Sequence, residues 1–147
     1  MKLLDLYKWI AGSMSDFTKP FQENEALFNQ AKTFWRHLEG STMIAIIIFI
    51  VLGIMLAALY YKPYNEQAGR HYKPSHWAIF LVITFVLTLL STWGFEYLAV
   101  KPVLKGAAML ELKVAFGNAI YATILYFIAS VVWCNALPTN ACRIFKF

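Results

Sequence analysis

Charge is scarce in this chain, and three long stretches have none at all. Only 14% of its 147 residues are charged, where a water-soluble domain carries roughly a quarter. Met43 to Tyr61, Trp77 to Phe95 and Val114 to Leu137 hold no Asp, Glu, Lys or Arg. At ~1.5 Å per residue, a helix over each run crosses the ~30 Å hydrocarbon core of a bilayer. A soluble enzyme or binding domain is excluded, because what remains comes in short pieces. The longest is about 42 residues, too little to bury a core of its own.

Other absences narrow the chemistry. There is no phosphate-binding glycine loop, no HExxH and no CxxC. Lys and Arg are never four in a row, so a net charge of +5 points to anionic lipid head groups rather than nucleic acid. No histidine lies inside an apolar run, which speaks against haem. His71 and His76 share a loop without the ligand spacing of a metal site, and His37 follows Trp35-Arg36. No catalytic residue, metal ligand or cofactor is expected. Lys2, Asp5 and Lys8 interrupt the first ten residues, so no secretory signal is expected there, and no lipidation motif is evident. Two cysteines are present. Cys134 and Cys142 flank Leu137-Pro138-Thr139-Asn140, a turn that could bring them together as a disulfide, the alternative being two free thiols.

What is present organises the chain into three parts: an amphipathic helical N-terminal segment (1–41), a three-helix transmembrane domain (42–137) and a short basic-aromatic tail (138–147). The predicted fold is all-α, with three transmembrane helices preceded by two amphipathic, interfacial helices. Leu3, Leu6, Tyr7 and Ile10 fall at helical spacing with Lys2, Asp5 and Lys8 opposite. That face suits either the membrane interface or a neighbouring protein surface. Ala11-Gly12-Ser13 ends this helix. A second is predicted from Pro20, with Thr18 as N-cap and a stripe of Leu27, Ala31, Phe34, Trp35 and Leu38. Gly40 reads as its stop and Ser41 or Thr42 as the next cap, giving an elbow into the first span.

The spans differ. The first is Ile-rich, and its close-packing candidates are Gly53 and Ala57. The second carries a polar stripe, Thr84, Thr88, Ser91, Thr92 and Glu96, at spacings of three and four. Such a stripe turns away from lipid, toward other helices or toward water in an oligomeric pore. Glu96 is either a functional carboxylate or a head-group-level Glu paired with Lys101, Lys105 or Lys113. Pro102 breaks the chain, and one long helix is predicted from 107 to 137. It repeats Ala115 and Ala119 and carries Asn118 about a turn inside the membrane. Asn118 is placed to hydrogen-bond Glu96 or Thr92 across the spans. Trp9, Trp35, Trp77, Trp93 and Trp133 read as interface anchors.

Lys32, Arg36, Lys101, Lys105 and Lys113 stand on one side of the predicted topology, against Lys62, Arg70, Lys73, Arg143 and Lys146 on the other. The positive-inside rule therefore ties. Softer arguments favour the N-terminus inside a prokaryotic inner membrane. The functional expectation is a non-enzymatic subunit with an assembly role in a larger membrane complex, a transport, secretion or motor-type machine. The alternative is a homo-oligomeric pore lined by the second span. The expected partners are lipids, copies of the chain and other membrane subunits.

Overall fold

The computed structural model describes residues 3–67, 73–100, 104 and 108–137. Among these the chain is helical throughout, with no strand. A 3-10 turn (Leu3–Tyr7) leads into α1 (Lys8–Ala11), which Gly12 closes at φ 78°. Then come α2 (Met14–Thr18), a 3-10 turn (Lys19–Phe21), α3 (Glu25–Leu59), a π turn (Tyr60–Tyr64), α4 (Pro74–Val100) and α5 (Ala108–Ala136). Three of these helices, α3 to α5, are long and apolar enough to cross a membrane, which fits an integral multi-pass membrane protein. The predicted tail, 138–147, lies outside the described residues.

The expected elbow at Gly40 is absent. α3 runs through it unbroken for 35 residues, about 52 Å. Glycine in a helix costs about 1 kcal/mol. A helix end beside hydrocarbon would instead strand several backbone donors and acceptors, at several kcal/mol each. Ser41 and Thr42 do not cap. Their hydroxyls donate back to the Leu38 carbonyl at 2.9 and 2.8 Å, inside the helix. The boundary drawn at 41 thus falls within one element.

The caps upstream also differ from expectation. Thr18 does not cap a helix; its hydroxyl donates to the Met14 carbonyl. Asn24 takes that role for α3, its Oδ1 accepting from the Ala26 and Leu27 amides at 3.1 and 3.3 Å. Ser13 and Asp16 form a capping box on α2. At the far end of α3, Pro63 lacks an amide proton and the helix widens into the π turn. There Asn65 Nδ2 donates to the Tyr60 carbonyl.

The residues pack as two compact units. The first comprises the described residues of 1–48 and 89–118, the second those of 49–88 and 119–137. In the first, Leu4, Tyr7, Ala11, Ala31, Phe34, Trp35 and Leu38 are buried. The buried N-terminal residues are Leu4, Tyr7 and Ala11; of the expected row Tyr7 is buried, Ile10 half-buried and Leu6 exposed, and the Leu3 side chain lies outside what is described. The 3-10 turn explains the change of face, since residues three apart eclipse there and Leu6 is turned outward. Leu27, expected in the α3 stripe, is exposed as well. In the second unit, Leu56, Ala57 and Tyr126 form a core with Trp77, Phe80, Leu81 and Ala129 against it. Tyr60, Tyr61 and Cys134 form another, flanked by Tyr64, Trp77, Phe80 and Trp133. Outward faces are apolar: Ile47, Ile50, Val51 and Ile54 on α3, and Val82, Val86 and Leu90 on α4. Apolar atoms in such continuous exposed rows are at home in lipid.

Candidate functional site

The polar side chains of the apolar helices are concentrated in the first unit. Asn118 sits at the end of α5 within that unit and is fully buried. Its Nδ2 donates to the Ala45 carbonyl of α3 at 2.8 Å and to Thr92 Oγ1 of α4 at 2.6 Å. Its Oδ1 accepts from the Tyr7 hydroxyl at 2.7 Å. One side chain thus joins three long helices and the N-terminal turn. An amide offers two donors and an acceptor oxygen, so it meets four elements where a hydroxyl could not. The sequence-based choice of partner between Glu96 and Thr92 resolves to Thr92. Tyr7 and Ala45 were not anticipated.

Gly117 is what lets the N-terminal segment close on α5. A Cβ there would lie 3.1 Å from Tyr7 Cδ1 and 3.3 Å from Ile10 Cγ2. The segment therefore packs on the protein through Tyr7 and Ile10 while Leu6 and Trp9 face outward. Phe17 lies 5.8 Å from both Phe34 and Trp35, ring centre to ring centre. Trp35 is buried beneath it, so it is no interface anchor.

One turn further out, Glu96 is also fully buried. Its Oε2 lies within hydrogen-bond distance of the Ser41 hydroxyl of α3, whose one proton is shared between Glu96 and the Leu38 carbonyl, while its Oε1 has no hydrogen-bond partner. Glu111 of α5 lies within electrostatic reach of it, fully buried, with neither oxygen hydrogen-bonded. Of the lysines considered as partners for Glu96, Lys113 is exposed, and Lys101 and Lys105 lie outside the described residues. Glu111 carries a sequence signal that was overlooked: it precedes Val114, Ala115 and Asn118 by three, four and seven residues, one helix face.

The α4 stripe is narrower than its sequence suggests. Thr84, Thr88, Thr92 and Glu96 are each fully buried. Ser91 is exposed and leaves the row. In the second unit Thr84 donates to the Phe80 carbonyl, and the Thr88 hydroxyl is buried without a partner. There too Gly53 faces α5, where a Cβ would meet the Ala122 carbonyl at 3.0 Å and Leu125 Cβ at 3.2 Å. Ala57, Ala115 and Ala119 are fully buried.

The remaining sequence candidates are dispersed. Trp77 Nε1 donates to Ser130 Oγ at 3.0 Å, and Trp133 stacks on Tyr61 at 5.9 Å, so both are half-buried among helices rather than fully at an interface. Trp9 and Trp93 are exposed. Tyr64 Oη and His76 Nδ1 share a hydrogen bond of 3.0 Å, and His71 lies outside the described residues. Cys134 is buried, its Sγ 3.7 Å from the Tyr61 hydroxyl, and is not a free thiol. Cys142 lies outside the described residues. Among the described residues no three His, Cys, Asp or Glu side chains gather as a metal ion would need.

Outside the hydrocarbon, Asp16 accepts from the Ser13 amide and hydroxyl, and these bonds hold its carboxyl below the usual carboxylate range. No family model matches the chain, and neither the curated proteins nor the solved structures include a match.

Proposed function

We propose that the chain is a non-enzymatic, multi-pass membrane subunit that acts by assembly with copies of itself or with other membrane proteins. The observation that carries this reading is where its polar groups go. Asn118, Thr92, Tyr7, Ser41 and Glu96 bond to one another or to backbone within the chain. The faces left outward on α3 and α4 are rows of Ile, Val and Leu. Such faces support contact with apolar surfaces. The two amphipathic N-terminal stretches fit an interfacial position, with Trp9 and Leu6 outward and Tyr7 turned in. A prokaryotic inner membrane and an internal N-terminus complete the proposal.

Blue-native electrophoresis after mild extraction from the native membrane tests it. The expected outcome is migration well above the 17 kDa of one chain; a lone chain refutes the reading.

The alternative, an oligomeric pore lined by α4, has one observation in its favour: the regular Thr84, Thr88, Thr92 row. Its burial within the chain weighs against it. Cysteines introduced at Thr84, Thr88 and Thr92 distinguish the two readings. A pore makes them react with water-soluble thiol reagents while Leu87 and Leu90 stay protected. The assembly reading leaves the Thr positions protected.

A further inference from the structure

The first unit has a groove of about 460 Å³ on its surface, between the N-terminal half of α3 and the last turns of α4. Arg36, His37, Gly40, Ser41 and Ile44 of α3, in that order toward the apolar run, line it together with Phe95 and Ala99 of α4. We propose that this groove seats one anionic phospholipid, its phosphodiester over Gly40 and its first methylenes along Ile44 and Phe95.

Charge is the first argument. Arg36 and His37 are exposed, and neither has a hydrogen bond or ion pair among the described residues. No carboxylate lines the groove among the described residues. Glu96 lies behind Ser41, buried and bonded to its hydroxyl.

Depth is the second. Gly40 precedes Met43, where the apolar run begins, by three residues, or ~4.5 Å along the axis. The headgroup layers add roughly 5–8 Å on each side of the ~30 Å core, so a phosphate over Gly40 lies at its natural level. Arg36 and His37 stand one turn further out, above it.

Shape is the third. Nothing lies within 4 Å of the place a Cβ on Gly40 would take, so a ligand can lie directly on the α3 backbone. The groove changes from cationic to apolar in the direction of the hydrocarbon, the order in which a phospholipid presents its own groups. A water-soluble anion would leave the Ile44 and Phe95 end unfilled.

The test uses the full chain, reconstituted in phosphatidylcholine vesicles containing a minor fraction of phosphatidylglycerol. It is then extracted gently, and its retained lipids are weighed by native mass spectrometry. Wild type is expected to keep phosphatidylglycerol in preference to phosphatidylcholine. Arg36→Gln should lower that retention about fivefold, the usual worth of one cation near an anionic surface. Gly40→Leu should lower it comparably with no change of charge, by filling the groove. Lys32→Gln, one turn away on the same helix, should leave it unchanged. Melting in detergent verifies that each variant is folded; Gly40→Ala, which adds little bulk, replaces Gly40→Leu if the latter is not. Equal retention by wild type and the groove variants overturns the proposal. So does an equal loss in Lys32→Gln, which would reduce the effect to net charge. Loss of a crosslinked dimer in Gly40→Leu with lipid retention intact would assign the groove to a second copy and overturn it as well.

Discussion

Replacing Asn118 by Ala should be the most damaging conservative change in the first unit. The substitution removes two donated hydrogen bonds, to the Ala45 carbonyl and Thr92 Oγ1, and one accepted from Tyr7. Interhelical hydrogen bonds inside membrane proteins average about 0.6 kcal/mol, up to about 1.7. Three of them give about 2 kcal/mol. The Ala45 carbonyl is in mid-helix and keeps its backbone partner. The expected loss is therefore about 2 kcal/mol. Tyr7→Phe removes one bond and leaves Asn118 two, so it should cost about 1 kcal/mol.

Both values are accessible from reversible unfolding in mixed micelles, by titrating a denaturing detergent. The double variant is the sharper measurement. If the bond is as drawn, the cycle of Tyr7→Phe and Asn118→Ala gives a coupling of about 0.6–1.7 kcal/mol. Asn118→Ala should also expose the 12–24 stretch to protease, because the N-terminal turn loses its polar tie to α5. A coupling indistinguishable from zero, with unchanged proteolysis, would refute the four-way junction.

Gly53→Val should destabilise by about 1–3 kcal/mol in the same assay, since its Cβ would press on the Ala122 carbonyl and Leu125. Gly40→Ala should stabilise by about 0.5–1 kcal/mol, because the site is open and mid-helix alanine loses less entropy. The capping box predicts a pH effect outside the membrane. The Asp16 carboxyl is held below its ordinary 3.8 by Ser13, so its support of α2 is full above that value and is lost as pH falls through the lowered one. The protection factors of the amides over Met14–Thr18, exchange being referred to the intrinsic rate at each pH, should fall below about pH 4 in wild type. In Ser13→Ala they should be low already at neutral pH; wild-type protection that does not change with pH counts against the box.

The long apolar runs were legible because their signal is additive: nineteen or more uncharged residues outvote any local breaker. That same additivity hides Gly40. Read locally, Gly40-Ser41-Thr42 has the composition of a stop followed by a cap. Beside hydrocarbon the balance reverses, since an unbroken helix satisfies every backbone group and Ser41 and Thr42 can return their hydroxyls to Leu38. The N-terminal face departs from a 3.6 period for a local reason: Leu3–Tyr7 is a 3-10 turn, in which residues three apart superpose. Ser13-x-x-Asp16 was readable and overlooked. Tyr7 as partner of Asn118 was not readable, because the pairing spans 111 residues and only Gly117 makes room for it.

The buried row on α4 shows how far a stripe can be carried toward function. Thr84, Thr88 and Thr92 recur every four residues on an apolar helix, a pattern shared by pore linings and helix contacts. Their surroundings separate the two. Thr84 bonds its own helix at Phe80, and Thr92 accepts from Asn118 of α5. A pore-lining hydroxyl is kept free for water, yet two of these three already have protein partners. The third, Thr88, is fully buried and has none, so water does not reach it from outside the chain. Thr88→Val should therefore be neutral or mildly stabilising, as the swap removes a desolvated hydroxyl and keeps the β-branched shape. In a pore the same change would place a methyl group in a wetted wall and lower conductance. Unfolding of Thr88→Val in micelles, measured with ion flux in vesicles, decides between the two. A stability loss above about 1 kcal/mol would mean that the hydroxyl has a partner in the folded membrane state and that the row is polar for a purpose other than packing.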